Sequence, residues 1–252
     1  MTRILAVANQ KGGVGKTTTA INLGAALAAY EKRVLLVDCD PQGNATRGLG
    51  QAADPPSLYQ VLVGLAPADA AIRSSGFPFL DLLPADRELV GVEVEFVGLE
   101  GWQSRLREAL APVRERYDYV LVDGPPSLGH LTVLALVAAD AVLVPLQCEY
   151  YALEGLAELL ANIRRVAAQW NSDLDLAGIL LTMRDERMNL TRDVENEVRT
   201  HLAGKVFATV VPRNVRLAEA PSHGRTILAY DIKSRGAEAY LALARELMRL
   251  QP

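Results

Sequence analysis

Ile4-Leu5-Ala6-Val7-Ala8, then Asn9-Gln10, then Lys11-Gly12-Gly13-Val14-Gly15-Lys16-Thr17-Thr18: these fifteen residues decide the fold. Five apolar residues in a row read as a strand buried on both faces. Gly12, Gly13 and Gly15 then let the backbone wrap closely around an anion with its N–H groups turned inward. The helical pattern Thr17–Tyr30 follows at once, so a helix presents its positive end to the same anion. Strand, glycine loop and helix in this order make a phosphate-binding loop. The general pattern G-x-x-x-x-G-K-T fails at its first glycine, where Gln10 stands, but Gly15-Lys16-Thr17 match. Lys16 is placed to neutralise phosphate oxygens and the Thr17 hydroxyl to ligate Mg²⁺.

Outward from this loop the chain alternates short apolar runs with longer helical patterns. Val34–Val37, Phe79–Leu83, Tyr119–Val122, Ala141–Pro145, Leu176–Leu181 and Val206–Val210 read as further strands. Trp102–Arg116, Leu153–Ala168, Thr191–Leu202 and Ser234–Leu250 read as helices. The alternation predicts an α/β fold, three layers with a mostly parallel central sheet, as a single domain over residues 1–252. Gln51–Pro56 is a turn-rich surface segment. Half of the 252 residues are hydrophobic, which excludes a disordered chain, and two isolated cysteines, Cys39 and Cys148, exclude a disulfide scaffold and a C-x-x-C cluster site. No apolar stretch approaches the roughly 18 residues of a membrane span. The N-terminus lacks an export signal, so a cytoplasmic location is expected.

Acidic residues of two segments lie where parallel strands end, beside the crevice in which α/β folds bind ligands. Asp38 and Asp40 follow the second strand in Asp38-Cys39-Asp40-Pro41-Gln42-Gly43-Asn44, and Asp123 ends Tyr119–Asp123. A carboxylate after an apolar strand is the Walker B arrangement, suited to holding Mg²⁺ through water. Val211-Pro212-Arg213-Asn214 follows the last strand. No N-K-x-D or T-K-x-D guanine-reading motif occurs, which favours ATP over GTP.

The second lysine, Lys11, carries a resemblance. K-G-G-x-G-K-[ST] is the deviant Walker A motif of the ParA/MinD family of P-loop NTPases, and the chain resembles that family over essentially its whole length. Gln147–Gly155 and Pro212–Gly224 look like the chromosomal ParA (Soj) branch. The resemblance implies a slow ATP hydrolase whose catalytic residues are Lys11, Lys16 and Asp40. Lys11 would reach across an ATP-bound sandwich homodimer to the partner's phosphates, and Asp40 would orient the attacking water. The nucleotide would lie on Lys11, Gly12, Gly13, Val14, Gly15, Lys16, Thr17 and Thr18. Pro212 would pack on its adenine and Asn214 would hydrogen-bond it, the alternative being a turn that caps the next helix. Thr17, Asp40 and Asp123 would hold Mg²⁺. Two positions depart from the family pattern: Gly124 stands where Cys or Thr is expected, and Leu134 where Asn is expected in the helix after Ser127.

The total formal charge of −4 argues against a protein coated with positive charge, yet its distribution is uneven. Residues 183–252 hold 12 basic against 9 acidic side chains, and residues 199–235 hold 7 against 2. Charge alone is equally compatible with a solvated surface. The resemblance assigns Arg187 and Arg216 to non-specific double-stranded DNA, and Arg225 and Lys233 join them by proximity. It also implies a ParB-type centromere-binding partner that stimulates hydrolysis, and a place on the nucleoid. Only three residues precede the first apolar run, leaving no room for the N-terminal DNA-binding domain of the plasmid branch. The end lacks a basic amphipathic membrane helix, so no membrane partner is expected. The alternatives kept are a MinD-like ATPase working at a membrane surface and a metabolic ATP-dependent ligase.

Overall fold

The apolar runs and amphipathic stretches assemble, in a computed structural model that describes residues 2–127, 129–149, 152–185 and 187–250, into one sheet with helices on both faces. In chain order the elements are β1 (Arg3–Val7), α1 (Lys16–Ala29), β2 (Val34–Asp38), α2 (Asn44–Gly48), α3 (Leu58–Leu62), α4 (Ala68–Ala71), β3 (Arg73–Phe77), β4 (Leu80–Leu83), α5 (Val92–Glu95), α6 (Arg105–Leu110), β5 (Tyr119–Asp123) and α7 (His130–Ala138). They continue with β6 (Ala141–Gln147), α8 (Ala152–Trp170), β7 (Asp175–Arg184), α9 (Asn189–His201), β8 (Val206–Pro212), α10 (Val215–Glu219), α11 (Ile227–Tyr230) and α12 (Arg235–Arg249). The eight strands run in the order β3-β4-β2-β5-β1-β6-β7-β8. Every neighbouring pair is parallel except the edge pair β3–β4. The expected three-layer α/β architecture is therefore the observed one.

Successive residues of a strand face opposite layers, and both layers are apolar. Leu5 and Val7 join α1 and α12 on one face, through Leu23, Leu27, Tyr240, Leu243 and Leu247. Ile4 and Ala6 join the other face, where α7, α8 and the segment between β4 and β5 pack through Leu134, Leu159, Leu89 and Phe96. Gly24 lets α1 lie close to the sheet, since a Cβ there would come to 3.3 Å from Leu80 Cδ1. The register aligns Val7 with Asp123 and Asp38 with Asp123. The phosphate loop and the two acidic loops thus leave the sheet along one carboxyl edge.

Two expectations need correction. Trp102–Arg116 is not one helix: a 3₁₀ turn at Trp102–Ser104 leads into α6, which stops at Leu110, and a second 3₁₀ turn covers Arg114–Arg116. Pro112 is the cause, because it lacks an N–H and crowds the preceding turn. The strand expected from Phe79 begins at Leu80, and Phe79 itself sits in a tight turn at φ 62°. That turn closes a hairpin with β3, whose residues RSSGF carry no strand signal. The long resemblance stretch 147–155 includes Tyr150 and Tyr151, which lie outside the described residues.

Candidate nucleotide site

The loop between β1 and α1 has the form its glycines allow. Gly13 and Gly15 take left-handed backbone angles, φ 75° and 89°, which side chains oppose. A hypothetical side chain at Gly12 or Gly13 would meet nothing within 4 Å, so this wall of the loop is open. The loop is pinned from behind: Thr182 Oγ1 donates to the Val14 carbonyl at 2.9 Å, and Asn9 Oδ1 accepts the Lys11 N–H at 3.0 Å. Lys16 enters the first turn of α1, is 7% exposed, and donates to the Lys11 carbonyl at 3.0 Å. Burial pulls the Lys16 pKa down, opposed by the charges of Asp123 and Asp40. Val14 is buried beneath the loop, and Thr17 and Thr18 are half-buried in the same turn as Lys16. The two lysines behave differently. Lys11 is exposed and ion-paired with Glu149 of the same chain, so reaching another molecule requires leaving that pair.

The acidic residues divide by whether their needs are met. Asp38 Oδ2 accepts from both the Thr46 N–H (2.8 Å) and Thr46 Oγ1 (2.7 Å), which sets the path of the loop into α2. Its pKa is pushed up to about 6 by burial, against the pull of those hydrogen bonds. Asp40 is 7% exposed and its Oδ1 accepts the Gln42 N–H at 2.9 Å. Asp123 is fully buried, and neither carboxylate oxygen has a hydrogen-bond partner of standard geometry. Burial drives its pKa well above the ordinary value, reinforced by Asp38; the nearby Thr17 hydroxyl pulls the other way. Among the described residues no three acidic, histidine or cysteine side chains converge into a ready-made metal cage. A partnerless buried carboxylate beside a threonine fits Mg²⁺, which takes one or two protein oxygens and completes its shell with water and phosphate.

A cavity of about 340 Å³ opens beside the loop. Gly15, Thr18 and Tyr240 form one side, Thr182 and Met183 another, and Pro212 and Asn214 a third. The structure thus brings Pro212 and Asn214 to the phosphate loop across more than 190 intervening residues. Asn214 caps α10, its Oδ1 accepting the Arg216 N–H at 2.8 Å, which leaves its amide N–H groups out of this bond. Met183 was not singled out from sequence. Its backbone takes φ 51°, uncommon for a side-chain-bearing residue, and its side chain lies 3.8 Å from where a Cβ on Gly15 would stand. At Gly124 a Cβ would come to 3.2 Å from the Val7 carbonyl, a tight contact. Leu134 lies fully buried in the core.

The four basic candidates divide into two groups. Arg187 pairs with Asp185 and lines an open groove of about 920 Å³ with Arg213 and Arg235. Arg216 pairs with Glu219 and lies 3.6 Å from Asp231, which also accepts the Lys233 N–H. Arg225 and Lys233 are exposed. No helix among the described residues is long and apolar enough to cross a membrane.

A family model for an AAA domain matches residues 2–176. The chain is 53% identical over 249 residues to the sporulation initiation inhibitor protein Soj of Bacillus subtilis, with 98% of each protein covered. It is 56% identical over 247 residues to the chromosome-partitioning ATPase Soj of Thermus thermophilus, covering 98% of this chain and 95% of the relative. A solved structure from Mycobacterium smegmatis, called cobyrinic acid a,c-diamide synthase with bound ADP and magnesium, is 42% identical with a TM-score of 0.87, covering 99% of this chain and 95% of that one. Identity above one half along almost the whole length, with the second loop lysine in place, makes this chain a member of the ParA/MinD family of P-loop ATPases.

Proposed function

We propose that the chain is a partitioning ATPase, a nucleotide-operated switch that converts ATP and water to ADP and phosphate and binds DNA in only one of its states. The observation that carries the reading is the buried Asp123 carboxylate, without a hydrogen bond of standard geometry, beside Lys16 at the start of α1. Lys16 and the N–H groups from Gly12 to Thr18 hold the phosphates, and Thr17, Asp40 and Asp123 hold Mg²⁺. When bound, the ion offsets charge on the phosphate oxygens. Asp40, fixed in a buried turn, orients the attacking water. Pro212 and Asn214 bound the space for adenine. Lys11 leaves Glu149 and serves the phosphates of a second copy, so the active form is a sandwich homodimer and Lys11 works in trans, as an arginine finger does.

DNA enters as a partner of that dimer. Arg187, Arg216, Arg225 and Lys233 contact phosphates without reading bases, and dimerisation doubles a patch too weak alone. Hydrolysis, slow by itself and stimulated by a ParB-type centromere-binding protein, releases the dimer. All 252 residues serve as one ATPase domain on the nucleoid.

Co-sedimentation with DNA and, in parallel, with liposomes tests the reading. The expected result is ATP-dependent pelleting with DNA only, lost in Lys16→Ala and made persistent in Asp40→Ala. Pelleting with liposomes alone would favour the membrane-surface alternative. A second reading rests on the Mycobacterium smegmatis neighbour, whose name is that of an amide-forming ligase. ATP turnover that requires a carboxylic-acid substrate and ammonia or glutamine, with no DNA pelleting, would favour it.

A further inference from the structure

Between β4 and β5 the chain makes an excursion that carries none of the nucleotide motifs, yet it touches both acidic loops. At its start the Ala85 N–H donates to Thr46 Oγ1 at 3.1 Å, and that hydroxyl donates to Asp38. Farther on, Glu93 of α5 grips the first turn of α7. Its Oε2 accepts the His130 N–H at 2.9 Å and lies 3.0 Å from His130 Nδ1, while Oε1 accepts the Leu131 N–H at 3.2 Å. Two of the orphan N–H groups of that helix end are thereby satisfied by a negative charge, the sign its dipole favours. Burial alone would raise the Glu93 pKa, but the bonds from His130 and Leu131 outweigh it and hold the group ionised. Trp102 stands edge-on against the His130 ring at 4.5 Å, closing the cluster from outside. Gly129 leaves room for the Glu93 carboxylate, which a Cβ there would displace.

The location gives the grip its meaning. Asp123 has no side-chain hydrogen bond of standard geometry to fix it, so the backbone on either side must do so. Upstream that backbone is held in the sheet, with the Gly124 N–H on the Val7 carbonyl at 3.1 Å. Downstream, among the described residues, Glu93 anchors the start of α7 from another part of the chain. We propose that Glu93, through His130 and Leu131, is a positioning residue for ATP hydrolysis that fixes the start of α7, downstream of Asp123. The proposal rests on the ATPase reading above.

The test compares Glu93→Ala and Glu93→Gln in phosphate release and ATP affinity, and follows Trp102 emission in a Trp170→Phe background, where Trp102 is the only tryptophan. Loss of an outer positioning group should lower kcat about tenfold in Glu93→Ala and change ATP affinity less than about threefold. Glu93→Gln keeps one acceptor oxygen and should recover most of that loss. Addition of Mg²⁺ and ATP should change Trp102 emission when Glu93 is present and leave it unchanged in Glu93→Ala. Unchanged kcat in Glu93→Ala overturns the positioning role alone. Parallel loss of kcat, affinity and melting temperature, without rescue by Gln, shows a merely structural contact and overturns it too. Absence of Lys16-dependent phosphate release from the unsubstituted chain overturns the ATPase reading first. If Glu93→Ala does not fold, Glu93→Gln decides: an intermediate kcat with an altered Trp102 response supports the role, and unchanged values reject it.

Discussion

The Asp123 carboxylate is buried without a hydrogen bond of standard geometry, and an unsatisfied buried polar group costs on the order of 1–3 kcal/mol. Its raised pKa means that the folded chain binds this proton more tightly than the unfolded chain. Stability of the nucleotide-free protein should therefore fall as pH rises through and above the ordinary carboxylate range. Asp123→Asn should reduce that slope, leaving the share due to Asp38, and raise the melting temperature at neutral pH, while abolishing the further rise expected from Mg²⁺ and nucleotide; thermal melts at several pH values check both. Gly12 makes the opposite case. Nothing lies within 4 Å of a side chain built there, so Gly12→Val should fold and bind ATP normally. The valine would instead occupy the open wall of the loop, and gel filtration with ATP should show a monomer where the unsubstituted chain shows a dimer.

Elements were legible in proportion to how much of their character is local. β1, β2 and β5 announce themselves as unbroken apolar runs because both faces of each are buried. The hairpin strand β3 does not, because an edge strand with Arg73, Ser74 and Ser75 owes its existence to its partner β4. The Pro112 break was readable from the residue itself and outweighed the surrounding helical pattern. The loop motifs were readable because glycine and lysine spacing encodes their chemistry, whereas Met183 and Glu93 owe their place to contacts made across the fold. The other sheet edge shows a further tertiary device: Glu246 of α12 accepts the Ala208 and Thr209 N–H groups of β8 at 2.6 and 2.9 Å. This occupies donors that an exposed edge would offer to other chains. Glu246→Ala should destabilise the fold by about 1.5–3 kcal/mol, read by chemical denaturation, since hydrogen bonds to a charged group are lost.

For the whole molecule, the negative total and the basic patch coexist because the patch is partly neutralised. Arg187 and Arg216 are each engaged by an acidic neighbour, so in the proposed DNA-binding role phosphates would have to compete for them. Arg216→Ala should abolish ATP-dependent DNA binding with ATP affinity intact. For the unsubstituted dimer, about six phosphate contacts predict a log–log salt slope near −5, against about half that for a monomer. Titrations at several salt concentrations measure both. The strand order carries a last consequence, this time for how the chain becomes a protein. β1 sits in the middle of the sheet, yet its neighbours are β5 and β6, so Leu5 must wait for Leu121 and Ala141, and Val14 for Thr182. Such distant pairings form late and slowly. The glycine loop thus leaves the ribosome well before the strands that flank it, and a nascent or truncated chain displays it without the walls that let it grasp a nucleotide.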